Sequence, residues 1–98
     1  MSLTLCVLLW PEEGRDAELV AYEDRVLELL GDHGGRVLQR LRNHDADPSG
    51  SQPLEVQVIE FPSEVALDAY LHDDRRTALA GARDRAIART ELLHVAVV

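Results

Sequence analysis

Apolar residues along the chain fall into short runs and one spaced stripe. "LTLCVLLW", residues 3–10, is apolar at seven of eight positions and is stopped by Pro11. Its length and abrupt end predict a buried strand. Leu19, Tyr22, Val26, Leu29 and Leu30 then recur at helical spacing, which predicts an amphipathic helix. Asp16 suits its N-cap, acidic residues crowd its first turns, and Gly31 suits its C-cap. Gly34-Gly35 permit a reversal into a second strand, residues 36–43. "HDADPSGSQP" has turn chemistry throughout and predicts a loose hairpin loop over 45–53. "LEVQVIEF", residues 54–61, is the third strand. Pro62-Ser63 opens a helix with Ser63 as N-cap, running to His72. Asp73-Asp74 caps a second helical piece over 74–90, and "LLHVAVV", residues 92–98, is the last strand.

The order β-α-β-β-α(α)-β is the split βαβ pattern of a ferredoxin-like α+β fold. Right-handed crossovers give the spatial strand order four-one-three-two, with the helices on one face of an antiparallel sheet. Pairing Leu41 with Val56 sets Arg42 opposite Glu55 and Leu38 opposite Ile59, a register that matches charges and apolar groups. One face then collects Leu3, Leu5, Val7, Leu9, Leu41, Val56, Val58, Leu93, Val95 and Val97, and is expected under the helices. The other collects Thr4, Cys6, Leu8, Trp10, Leu38, Arg40, Arg42, Glu55, Gln57, Ile59, Phe61, His94 and Ala96. That second face is too apolar for water, and no segment of the chain remains to cover it. A second copy packed sheet to sheet is the economical cover, which predicts a homodimer.

Composition narrows the field. Ninety-eight residues suit one domain, and 46% apolar content is ordinary for a globular protein. The formal net charge of −8 argues against nucleic acid as a partner. All ten basic residues are Arg, which a GC-rich bacterial genome explains without special chemistry. No apolar stretch approaches the roughly 20 residues of a membrane helix, and residues 1–12 lack a secretory pattern, so a cytoplasmic location is expected. The single Cys6 excludes an intramolecular disulfide and multi-cysteine metal sites.

"YEDRVLELLGDHGGRVLQR", "VIEFPSEVALDAY" and "ARDRAIA" resemble the small bacterial domain of unknown function 1330. That family belongs to the dimeric α+β barrel superfamily. The most specific pieces are His33-Gly34-Gly35 and Glu60-Phe61-Pro62-Ser63, and the resemblance covers nearly the whole chain. It implies a ferredoxin-like fold and a sheet-to-sheet homodimer. Where family members often carry an Arg before the strand ending in Glu-Phe-Pro-Ser, this chain reads "QPLEVQV". The family has no agreed activity. Its wider superfamily includes cofactor-independent monooxygenases, haem-degrading enzymes and lactone isomerases, an analogy of fold alone.

His33, His44, His72 and His94 form no paired ligand motif, so no metal site is expected. His33 follows a helix end, where an imidazole either satisfies a carbonyl or serves as a base. Cys6, mid-strand in an apolar run, reads as a small core residue rather than a thiolate nucleophile. Trp10 either walls a ligand pocket or is a rim aromatic. Arg75, Arg76, Arg83, Arg85 and Arg89 interleave with acids as a solvated helix face does; Arg83 also matches a recurrent position of the resembling family. Glu60 shares parity with Val56 and Val58, so it is expected beneath the helices, near Tyr22 and His33. There it either fixes the Gly-Gly turn or joins them in proton transfer. The expectation is a homodimer binding a small organic molecule in a sheet–helix cleft, through Trp10, Tyr22, His33, Glu60 and Arg83. It carries no cofactor, and either performs proton transfer or oxygenation, or serves as a non-catalytic sensing or interaction dimer.

Overall fold

A computed structural model describes residues 2–47 and 49–98. Position 48 of the predicted 45–53 loop lies outside the described residues. The elements are β1 (Leu3–Pro11), α1 (Asp16–Leu27), a 3-10 turn (Leu30–His33), β2 (Arg36–Arg42), β3 (Glu55–Phe61), α2 (Glu64–Leu71), α3 (Asp74–Thr77), α4 (Ala80–Ala86) and β4 (Ile87–Val95). All strand pairs are antiparallel, in the order β2-β3-β1-β4. This is the expected ferredoxin-like α+β topology.

Local chemistry explains the ends of these elements. Ser63 Oγ accepts from the Ala66 N–H at 3.1 Å and starts α2. An Asp73 carboxylate oxygen does the same for the Arg75 N–H at 2.9 Å and starts α3. The first helix stops at Leu27 and continues as the 3-10 turn, so its closing glycine is Gly34, at φ 73°, rather than Gly31. Gly35 is required for space. A Cβ there would lie 2.9 Å from the Phe61 ring and 3.2 Å from the Glu60 carbonyl oxygen. The predicted 74–90 helix breaks up and ends at Ala86. Ile87 turns extended (φ −115°, ψ 117°) and pairs with Pro11, so β4 begins five residues earlier than the sequence pattern suggested.

The register corrects the predicted faces. Leu41 pairs with Val56 and Arg42 with Glu55 as expected, but a bulge at Leu38 sets Val37, not Leu38, opposite Ile59. Across the sheet, Leu5 pairs with Ile59, Val7 with Gln57 and Leu9 with Glu55. Glu55, Gln57, Ile59 and Phe61 therefore share the helix-covered face with Leu5, Val7 and Leu9. Val56, Val58 and Glu60 share the open face with Cys6 and Leu8. Leu93 and Val95, opposite Cys6 and Thr4, also belong to the open face. The predicted assignment gave the more apolar half of β3 to the helices. The structure gives them the polar half, because its polar groups are paired there.

The core lies between the helices and the covered face. Leu5, Leu9, Leu19, Val26, Leu30 and Phe61 are at most 2% exposed. The open face leaves Leu41 50%, Leu93 49% and Val95 37% exposed. No helix among the described residues is long and apolar enough to cross a membrane.

Candidate functional site

The covered face carries a chain of buried polar groups. Glu55 has a fully buried side chain. Its two oxygens accept from Arg40 Nε at 2.8 Å and Arg40 Nη2 at 3.1 Å, a two-pronged pair. Arg42 Nη2 adds a third bond at 2.9 Å. Gln57 Nε2 donates to Glu55 at 2.6 Å and to Glu23 Oε1 at 2.8 Å. Arg40 and Arg42 come from β2, Glu55 and Gln57 from β3 and Glu23 from α1, so the network ties these three elements together.

Glu23 is on the buried stripe of α1, beside Leu19, Tyr22 and Val26, and is 6% exposed. Burial pushes its carboxyl above the ordinary value. The Gln57 hydrogen bond opposes that shift, and the Glu55 charge adds to it. Glu23 and Gln57 form the polar end of a cleft of about 60 Å³ between sheet and helices. Val7, Leu9, Ile59, Ile87 and Leu92 form its floor, and Val26, Leu27, Leu67 and Leu71 its helical walls.

Tyr70, Arg76, Arg83 and Thr90 complete the lining. Tyr70 donates to the Val26 carbonyl at 3.2 Å. Its hydroxyl pKa is pushed up to about 12 by burial, with Arg76 acting in the other direction. The Arg76 guanidinium lies 5.2 Å from the Tyr70 ring centre. Its Nη1 reaches the Leu71 carbonyl at 3.4 Å, while its buried Nε has no partner among the described residues. Arg83 Nη2 makes a long bond of 3.4 Å to Thr90 Oγ1.

Arg76 is held in place by its neighbours. His33 Nε2 and Asp73 Oδ2 are 2.8 Å apart. Arg75 bonds Asp73 at 2.7 Å and Asp32 at 2.8 Å. The guanidinium of Arg75, then the His33 imidazole, hold the Asp73 carboxyl well below the usual carboxylate range. These bonds fasten the start of α3 to the 3-10 turn.

Of the sequence-predicted site residues, only Arg83 lines this cleft. Tyr22 is buried on the neighbouring turn of α1 and borders a separate depression of about 190 Å³ with Glu18 and Arg25. His33 is engaged with Asp73 and packs edge-on to Tyr70 at 6.1 Å. Glu60 is not beneath the helices. It is on the open face, where it accepts from Arg36 Nε at 2.9 Å. Trp10 is 7% exposed and lies outside the core cluster, with the Arg89 guanidinium 4.5 Å over its ring. Glu23, Gln57 and Tyr70 were not among the sequence candidates, and Arg76 was read there as part of a solvated helix face. Only Glu23 left a signal, a charge on the 19–22–26–30 stripe. A larger depression of about 380 Å³ lies between the β1–α1 turn and the 46–52 segment, but its polar residues Glu12, Glu13, Asp16, Asp47 and Gln52 are all exposed.

No protein-family model matches the chain, and no curated protein matches it. Solved structures do. A protein of unknown function from Rhodopseudomonas palustris superposes with a TM-score of 0.78 at 16% identity, over 99% of this chain and 82% of that one. A dimeric ferredoxin-like protein of unknown function from Jannaschia sp. gives 0.70 at 18% identity, over 99% and 100%. SnoaB, a cofactor-independent oxygenase from Streptomyces nogalater, gives 0.71 at 15% identity, over 99% and 95%. The chain shares the ferredoxin-like α+β fold of these proteins.

Proposed function

We propose that this protein is a homodimer that binds a small organic molecule in the sheet–helix cleft and catalyses cofactor-independent proton transfer or oxygenation at an enolisable carbonyl. Glu23 carries this reading. A carboxylate buried against an apolar cleft, with its pKa raised, is a stronger base than one in water, and Gln57 fixes its orientation. Abstraction of a proton α to a carbonyl leaves the electron pair on carbon and oxygen as an enolate. Such an electron-rich carbanion is what reacts with dioxygen where no cofactor takes part. The activity named for SnoaB, a protein of the same fold, supports the direction of this reading but not its substrate.

The test is solvent deuterium exchange and oxygen uptake with a panel of small enolisable ketones and phenols. Glu23→Gln should lower either rate by about 100-fold or more, the scale of a lost general base. Full rates in that variant would remove Glu23 from the chemistry. Binding without turnover across the panel would favour the second reading, a non-catalytic sensing dimer, for which the small cleft volume speaks.

The homodimer rests on the open face, where Cys6, Leu8, Leu41, Val56, Val58, Leu93 and Val95 make one apolar surface. A biological interface buries about 1,000 Å² or more in total. A monomer mass by light scattering at micromolar concentration would defeat it. Membership of the domain of unknown function 1330 family belongs to the same proposal and rests on the His33-Gly34-Gly35 and Glu60–Ser63 segments. A cytoplasmic location goes with it, since a reducing compartment suits the free Cys6.

A further inference from the structure

We propose that Arg76 and Arg83 form an anion subsite in the cleft, and that its occupant is a small, largely apolar carboxylate. The inference deepens the small-molecule reading above and rests on it. It begins from how the ten arginines are paired. Arg15, Arg36, Arg40, Arg42, Arg75 and Arg89 each lie within ion-pair distance of a carboxylate. Arg25 and Arg85 are exposed, where water suffices. Arg76 and Arg83 alone are part-buried without a carboxylate partner among the described residues. The sequence has 18 acidic residues and a net charge of −8, so anions to pair with them are not scarce.

Both arginines line the same cleft. The Arg76 Nε–H is sealed from solvent with nothing to accept it, an arrangement that disfavours the empty state. Arg83 has one hydrogen bond, at the outer limit of length. Glu23, the carboxylate of the cleft, does not neutralise them. Gln57 holds it at 2.8 Å, no ion pair among the described residues joins it to either guanidinium, and burial, then the Glu55 charge, raises its pKa while Arg76 lowers it. The site therefore offers unmatched positive charge in a low-dielectric setting, where it is strongest. Guanidinium forks match a planar carboxylate in geometry.

The rest of the cleft sets the ligand's body. The floor of Val7, Leu9, Ile59, Ile87 and Leu92 is aliphatic, so the part of the ligand that lies on it is apolar. A volume of about 60 Å³ accommodates a short or branched aliphatic chain. A tetrahedral polyanion would bury its outer oxygens against aliphatic carbon, at a desolvation cost that the walls cannot return.

Isovalerate and its neutral isostere isovaleramide separate charge from shape. Both are titrated against the intact protein by amide NMR shifts, with resonances of Gln57, Thr90 and Leu92 reporting the cleft. Isovalerate is expected to bind about tenfold or more tightly than the amide, and that ratio should collapse toward one in Arg76→Gln and Arg83→Gln but persist in Arg25→Gln. Equal binding of acid and amide overturns the anion subsite and leaves the cleft reading intact. A ratio kept in both variants, or shifts mapping away from the cleft, also overturns it. No saturable shift from either compound at millimolar concentration removes both readings. Should Arg76→Gln not fold, the wild-type ratio and Arg83→Gln decide.

Discussion

The two faces of the first half of β3, Glu55 to Val58, invert the usual arrangement. Beneath the helices it presents Glu55 and Gln57, and towards the open side Val56 and Val58. The buried polar pair is tolerated because Arg40, Arg42 and Glu23 satisfy it. The uncovered valines extend an apolar surface that a second copy can cover. The difference teaches that polarity alone does not tell which way a strand faces. What decides is whether partners exist on each side. The polar side carries the cleft, and the apolar side offers the surface proposed for assembly.

The contrast is broken most severely at Glu55. Glu55→Ala leaves Arg40 with Asp24 and Gln57 with Glu23 as their remaining carboxylate partners, and urea denaturation should show a loss of about 3 kcal/mol. This is the low end for a broken buried pair, because Arg42 is partly exposed. Unchanged stability would mean that the network is wetter than its distances imply. Val58→Asp places a charge at the centre of the open face, opposite Cys6. It should weaken dimerisation by roughly two decades while the monomer keeps its circular dichroism spectrum, since burying an unpaired charge costs about 3 kcal/mol or more. Loss of fold in that monomer would show that the face serves folding and not only assembly.

A smaller effect concerns Glu23 and pH. Its folded pKa lies above the ordinary 4.5. In the window between the two values the folded chain holds a proton that the unfolded chain has released. Stability from this group therefore falls as pH rises through that window and is level above it. Denaturation midpoints across the pH range should show the decline in wild type and its absence in Glu23→Gln. Smallest is Cys6, partly exposed in a single chain. Thiol labelling should be slow in the wild type and several-fold faster in Val58→Asp; equal rates would place Cys6 outside the interface.

The fold was largely legible, and the site was not. Element order, strand order and the Ser63 and Asp73 caps follow from local chemistry that each segment carries in itself. The facing of β3 does not. "EVQV" alternates cleanly, but β1 is apolar on both sides and cannot say which set it matches. The predicted assignment went to the valines by polarity, and Glu60 went with them. The cleft suffered for the same reason. Gln57 was assigned to the mixed face expected to meet a second copy, and Arg76 to a solvated helix face. Glu23 was the one visible clue, since a carboxylate on an apolar stripe needs a buried partner, and nothing in the sequence named it.

The bulge at Leu38 has a consequence for how large the assembly can grow. β2 is an edge of the sheet, and its outer backbone groups are a template on which a further strand could add. An incoming strand would meet a kinked ladder at Leu38 and, at its two ends, the exposed guanidiniums of Arg36 and Arg42. Kinks and charge both oppose edge-to-edge aggregation. Pairing through the open face would use up apolar surface without using up this edge, so the bulge guards the β2 edge of such a pair against strand addition.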